Sequence, residues 1–158
     1  MAKLKMQGLE EYEKQLLKLQ SCSRQCVGEA IYEGAKIVAD AVKANIETIP
    51  IDRRRVSKQM LTGITETQKQ GLRDGFGIAK IQNEGGYVHV KIGFDGYNGA
   101  TTKTYPNGQP NSVIARSVNS GTSFRQRIPF VDDAVNKSKA ACENKMAETF
   151  DKVLKENL

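Results

Sequence analysis

Along the first fifty residues, apolar side chains return every three or four positions. Leu9, Tyr12, Leu16 and Leu19 make one stripe, and Val27, Ile31, Gly34/Ala35, Val38, Val42 and Ile46 make a second, with charged residues such as Glu29, Lys36 and Asp40 mostly elsewhere. That period predicts two amphipathic helices. The polar step Gln20-Ser21-Cys22-Ser23 is expected to separate them, and Pro50 to end the second, because the residue before a proline avoids helical backbone. The small residues Ala30, Gly34, Ala35, Ala39 and Ala41 predict close packing against a sheet or another helix. A last stripe, Val131, Val135, Ser138, Cys142, Met146, Thr149/Phe150 and Val153 or Leu154, predicts a long C-terminal helix over 131–158.

Between the helical ends the pattern changes. Ile51 to Lys58 is charged and has no period, and Gln68 to Asp74 is short and helical in character. Phe76–Gln82 and Tyr87–Phe94 read as two strands. In the second, Val88, Val90 and Ile92 alternate with Tyr87, His89 and Lys91, and the two runs are joined by Asn83-Glu-Gly-Gly86. Alternation across a glycine-rich turn is a hairpin signal. Asp95 to Pro110, with two Asn-Gly pairs and two prolines, is expected to be a long loop. Ser112–Asn119 fits a strand or a short helix, and Gly121 to Phe130 is again irregular. The sum is an α+β fold: long N-terminal and C-terminal helices packed on a small antiparallel sheet. One domain over 1–158 is expected, in three parts: helices 1–47, hairpin, sheet and basic loops 48–130, and the last helix 131–158.

Charge changes this picture by marking out one region. Residues 1–47 carry seven basic and seven acidic groups, 48–130 carry twelve and five, and 131–158 carry five and six, so the net charge of +6 belongs to the middle. Such a region suits nucleic acid or an acidic protein surface. Its irregular, basic segments supply the interface candidates: Arg53, Arg54, Arg55, Tyr97, Lys103, Tyr105, Arg125 and Arg127. These arginines are expected to be solvated or to pair with carboxylates on a neighbouring subunit. No apolar run reaches the roughly 20 residues of a membrane span, and the start has no apolar leader. Synthesis in the cytoplasm is the expectation.

Candidate chemistry is sparse. His89 is the sole histidine and falls on the polar face of a strand, with no serine or cysteine close by in sequence to activate. Cys22, Cys26 and Cys142 are too few for a tetrahedral zinc site and read as small buried hydrophobes. Asp132-Asp133 suits the first turn of a helix. Gly96-Tyr-Asn-Gly-Ala-Thr-Thr-Lys103 has the wrong order for a phosphate cradle. No enzyme, cofactor or metal is expected.

The last third carries an arrangement of its own. Ala115-Arg-Ser-Val-Asn-Ser-Gly-Thr-Ser123, then Arg127-Ile-Pro-Phe-Val131 and Ala134, resembles the ending of phage tail-completion (head–tail joining) proteins, the family typified by the gene-10 product of phage Hong Kong 97. Upstream, the helix Ala35 to Ile46, the step Pro50-Ile-Asp52 and the hairpin follow in similar order. Gly93-Phe-Asp-Gly-Tyr-Asn98 with Tyr105-Pro-Asn-Gly-Gln-Pro110 resembles members from prophages of Gram-positive bacteria. Asp52-Arg-Arg-Arg55 stands where the family has Asp-Thr-Gly-x-Leu, and Ile114 where it has an aromatic. The resemblance implies a structural virion protein that assembles as a ring, generally sixfold. Its neighbours would be a tail terminator, the tail tube or a head-side connector, with DNA passing through but not specifically bound, and no membrane. It also implies that Pro129 fixes the approach to the last helix, that Phe130 anchors in the core, and that loop 95–110 orders on meeting a neighbour. The alternative is a basic nucleic-acid-binding module centred on 48–130.

Overall fold

The computed structural model describes residues 9–54 and 59–157. Four helices and four short strands follow in the order α1 (Leu9–Thr48), α2 (Glu66–Gly75), β1 (Phe76–Ile78), β2 (Gln82–Glu84), β3 (Tyr87–His89), β4 (Ile92–Phe94), α3 (Asn111–Ser120) and α4 (Phe130–Asn157). This is the α+β arrangement that the periodicity predicts, with one difference and one alternative resolved.

The first is that α1 is one helix of 40 residues, about 60 Å long. The expected break at Gln20–Ser23 does not occur. Ser21 and Ser23 turn their hydroxyls back onto the carbonyls of Lys18 and Gln20 (2.8 and 2.9 Å), so these polar side chains bond within the helix instead of ending it. Cys22 and Cys26 are buried against Val153, with Phe150 and Leu154 beside them, which carries the helix through the polar step. The second is a choice between alternatives: of the strand and the short helix that Ser112–Asn119 fits, the helix forms, within α3. Ile114, Ala115 and Val118, three and four apart, are its buried face.

α1 and α4 run antiparallel: Cys22 meets Val153, Gly34 meets Cys142 and Met146, and Asn45 meets Phe130. Small residues make the approach possible. Ala30, Gly34, Ala35 and Ala39 are all buried, and a methyl at Gly34 would collide with the Met146 side chain. The main core gathers Val42, Ile46, Ile49, Ile64, Leu72, Phe76, Ile114, Val118, Phe130 and Ala134.

β1 to β4 form one hairpin with a fault in it. β1 pairs with β4 in the register Phe76↔Phe94, and β2 with β3 in the register Gln82↔His89. Residues 79–81 therefore face 90–91, three against two, which is a bulge that shifts the register by one. Below it, Phe76 and Phe94 pack with ring centroids 5.0 Å apart, and Phe94 meets Phe130 edge-on at 6.0 Å. The connection is tighter than Asn83–Gly86: Gly85 and Gly86, with φ of 61° and 93°, make the turn alone, in the left-handed backbone that a two-residue hairpin loop needs.

Helix ends are held from a distance. Lys69, buried on α2, donates to the carbonyls of Glu47 and Ile49 (2.8 and 2.9 Å) at the end of α1, where backbone acceptors lack helical partners. Asn119 on α3 accepts from the amides of Val131 and Asp132 (3.0 and 3.2 Å), capping α4, while Phe130 is buried as the resemblance implies. α2 caps itself: Thr65 and Gln68 exchange side-chain and backbone bonds in a capping box.

Replacing Lys69 by Met would orphan two carbonyls without removing bulk. A loss of about 1–3 kcal/mol is expected, measured by urea denaturation, with the circular dichroism spectrum at low denaturant unchanged.

Candidate functional site

The irregular segments are stitched into one end of the molecule. Ile51 and Ile64 form a parallel bridge, as do Leu61 and Arg125, with backbone bonds Asp52 N to Ile64 O (2.8 Å), Leu61 N to Phe124 O (2.8 Å) and Gln126 N to Leu61 O (2.8 Å). Gly63 lies so close to the Pro50 carbonyl that a side chain would not fit between them.

Asp52 is the polar centre of this end. Its carboxylate accepts from Arg54 Nη2 and Nε (2.7 and 2.9 Å), from the Thr62 amide (2.9 Å) and from the Arg54 amide (3.1 Å). The guanidinium of Arg54, then the two amides, hold its carboxyl well below the usual carboxylate range.

Loop 95–110 closes the other side. Contrary to the expectation that it orders on meeting a neighbour, it is tied to its own chain. Asn98 and Asn111 are buried. Asn111 Nδ2 donates to Asp95 O (2.8 Å), Asn98 Oδ1 accepts from the Ala100 amide (2.9 Å), and Asn98 N donates to Gln109 O (2.9 Å). Gln68 Nε2 reaches Gln109 Oε1 (2.7 Å) and ties the loop to α2. Asparagine carries both donor and acceptor, so each side chain replaces several backbone partners.

Between the stitched ribbon, the start of α2 and the loop lies an open cleft of about 750 Å³, lined by Asp52, Arg54, Gln68, Thr101, Phe124 and Arg125 among others. A second recess, under Tyr97, adjoins it through Thr67 and Gly99.

The named candidates divide accordingly. Arg53, Tyr97 and Lys103 are exposed, Tyr97 at 72%, and Tyr105 is half-buried. Arg55 lies outside the described residues. Arg125 is not a surface group: it is 5% exposed, its Nη1 bonds to Ser117 Oγ (3.2 Å), and its Nε has no hydrogen-bond partner among the described residues. Burial lowers its pKa and the nearby Asp52 opposes that shift, so Arg125 braces the ribbon from beneath. Nor do Arg54 and Arg127 wait for a neighbour's carboxylate. Arg54 holds Asp52, and Arg127 holds Asp132 (3.1 Å) and the Asn119 carbonyl (3.2 Å), both in the same chain. Local pairing costs less chain entropy than pairing across an interface.

Two exposed side chains were not among the candidates: Met60 (50%) and Phe124 (54%), next to the residues that bridge the ribbon. A phenylalanine inside Gly-Thr-Ser-Phe-Arg, where no stripe claims it, was the available signal.

Elsewhere the chemistry is quiet. His89 Nε2 pairs with Gln82 Oε1 across the hairpin (3.1 Å). Cys22 and Cys26 share a sulfur–sulfur hydrogen bond of 2.8 Å, and with burial this pushes the Cys26 thiol up to about 11. Protonated thiols are poor nucleophiles and poor metal ligands. Among the described residues no three His, Cys, Asp or Glu side chains come together to hold a metal, and no helix is long and apolar enough to cross a membrane. Compared with family models, curated proteins and solved structures, the chain matches none.

Asp52 yields a pH prediction. Its carboxyl is depressed in the folded state, so its contribution is present above the unfolded value near 3.8 and is lost as pH falls toward the folded value. Asp52→Asn is therefore expected to lower the thermal midpoint at neutral pH, and the gap to the native chain to close progressively below about pH 4.

Proposed function

We propose that the chain is a structural component of a tailed bacteriophage or prophage particle, acting in tail completion or head–tail joining as a ring, with the stitched loop end as its contact surface. The observation that carries this reading is the composition of that end. Exposed Met60, Tyr97 and Phe124 lie with Arg53, Arg54 and Lys103 on loop segments whose described residues are tied down by hydrogen bonds at Asp52, Asn98 and Asn111. Aromatic residues, Met and Arg are enriched in protein interfaces, and a surface ordered before contact loses less entropy on binding. The order Gly121-Thr-Ser, Arg127-Ile-Pro-Phe and C-terminal helix, on which the family resemblance rests, has a structural counterpart here: Arg127 and Asn119 together set the start of α4.

The nucleic-acid reading draws less support. Among the basic groups of 48–130, Arg54, Arg73 and Arg127 hold carboxylates of their own chain, Lys69 caps α1 and Arg125 is buried. What remains exposed is spread over separate elements. No DNA affinity is expected at low salt, and a salt-dependent Kd with a slope of several charges would favour this alternative instead.

The joining role is tested by a triple change of exposed residues, Arg53→Glu, Tyr97→Ala and Lys103→Glu. Full particles are expected to fall at least about a hundredfold in a complementation assay, on the scale of losing two interface anchors. The melting temperature of the purified chain should be unchanged. Native particle yields would rule out this end as the contact.

A further inference from the structure

The two apolar stripes of the N-terminal third are one stripe on one helix, and half of it is exposed, without a packing partner among the described residues. From Cys22 onward that face of α1 packs on α4. From Leu9 to Gln20 every residue is exposed, including Leu9 at 57%, Tyr12 at 63%, Leu16 at 49% and Leu19 at 39%. These 12 residues form an arm about 18 Å long. Side chains at spacings of 3, 4 and 3 share one side of it, and soluble surfaces rarely leave such a contiguous apolar strip in water.

The same chain carries an apolar groove. It lies beside the hairpin, between α1, α3 and α4, holds about 490 Å³, and is lined by Val38, Val90, Ile92, Val131 and Val135, the last 42% exposed. Its wall carries a cation: Arg116 lines it, is exposed, and makes no ion pair with a described residue.

We infer that the Leu9–Gln20 arm of one copy docks in the Val90–Val135 groove of a second copy. Charge favours this occupant. Residues 9–13 carry three glutamates and no base. At 100° per residue Glu13 borders the apolar strip, while Lys14 and Lys18 fall on the opposite side. Docking therefore brings Glu13 toward Arg116 and leaves the arm's lysines in water. Two arms pairing antiparallel about residue 14 would set Glu13 against Gln15, with no cation, and would leave the groove open. Arm and groove are different patches, so the contact is heterologous: each copy gives one arm and accepts another, which generates rings where the rotation closes and open chains where it does not. The contact deepens the ring-forming reading and rests on it, but it uses a different surface from the loop end.

Sedimentation of the full chain across a concentration series tests it. Leu16→Glu removes the arm's grip, and Val135→Glu puts a carboxylate in the groove. Both positions are exposed, so native circular dichroism is expected for each, and Arg116→Glu serves as a second groove variant. Each variant alone should self-associate at least about tenfold more weakly than the native chain, since a charge must be buried or the contact given up. Mixed together, the arm variant and the groove variant should restore one contact and stop at a 1:1 dimer. If the groove variants self-associate like the native chain, arms pair with arms or elsewhere and the inference is overturned. It is equally overturned if the mixture stays monomeric, or if the native chain is monomeric at every concentration. Those results would leave the loop end to its own particle assay, and loss of joining in that assay with intact self-association would separate the two readings the other way.

Discussion

Where α1 and α4 cross, Gly34 has no side chain and the thioether of Met146 fills the space a methyl would take. Ala30, Ala35 and Ala39 continue the same economy of bulk along the helix. Two helices can come this close only while their facing positions stay small. One end carries the hairpin, α3 and the stitched loops. The other carries the arm. The two ends are thus joined through a contact that is largely apolar, with the Asn45 Nδ2 bond to the Phe130 carbonyl at the loop end.

At the loop end the balance of forces is different. Few large apolar side chains are buried among residues 95–110 and 121–127, so the backbone there is held by polar groups taken out of water. Asp52, Asn98 and Asn111 each satisfy two or more partners, and Arg125 is buried with Ser117 and the field of Asp52 for compensation. A buried polar network of this kind is costly when any member is removed and rigid when all are present. The entropy of ordering these loops is therefore lost during folding.

Much of this is legible in the order of the residues. The helical periods locate α1 and α4, and alternation with glycines locates the hairpin, because those patterns report one-sided burial directly. Gln20–Ser23 suggests a break because serine is neutral-to-poor in helices on average, while tertiary packing of Cys22 and Cys26 decides the matter the other way. Ser112–Asn119 is ambiguous between strand and helix because a short apolar run has no clear period. The burial of Arg125 is not legible at all. Nothing in Phe124-Arg125-Gln126 distinguishes a covered arginine from a solvated one, and the choice depends on Leu61, which bridges it from far along the chain. The same holds for Lys69, whose two carbonyl partners lie some twenty residues upstream.

The start of α4 has one more implication. Its cap is Asn119, which belongs to α3, and the intervening ribbon 121–129 is bound at Arg125 and Arg127. The longest C-terminal element therefore takes its capping side chain from another helix, although Pro129 and the acidic pair Asp132-Asp133 mark its start in sequence. Its first turn acquires hydrogen-bond partners once α3 has formed and Gly121, at φ 74°, has turned the chain back. The cap of α4 is in this sense borrowed, and a lengthened or shortened ribbon would leave both helices intact while uncoupling one from the other.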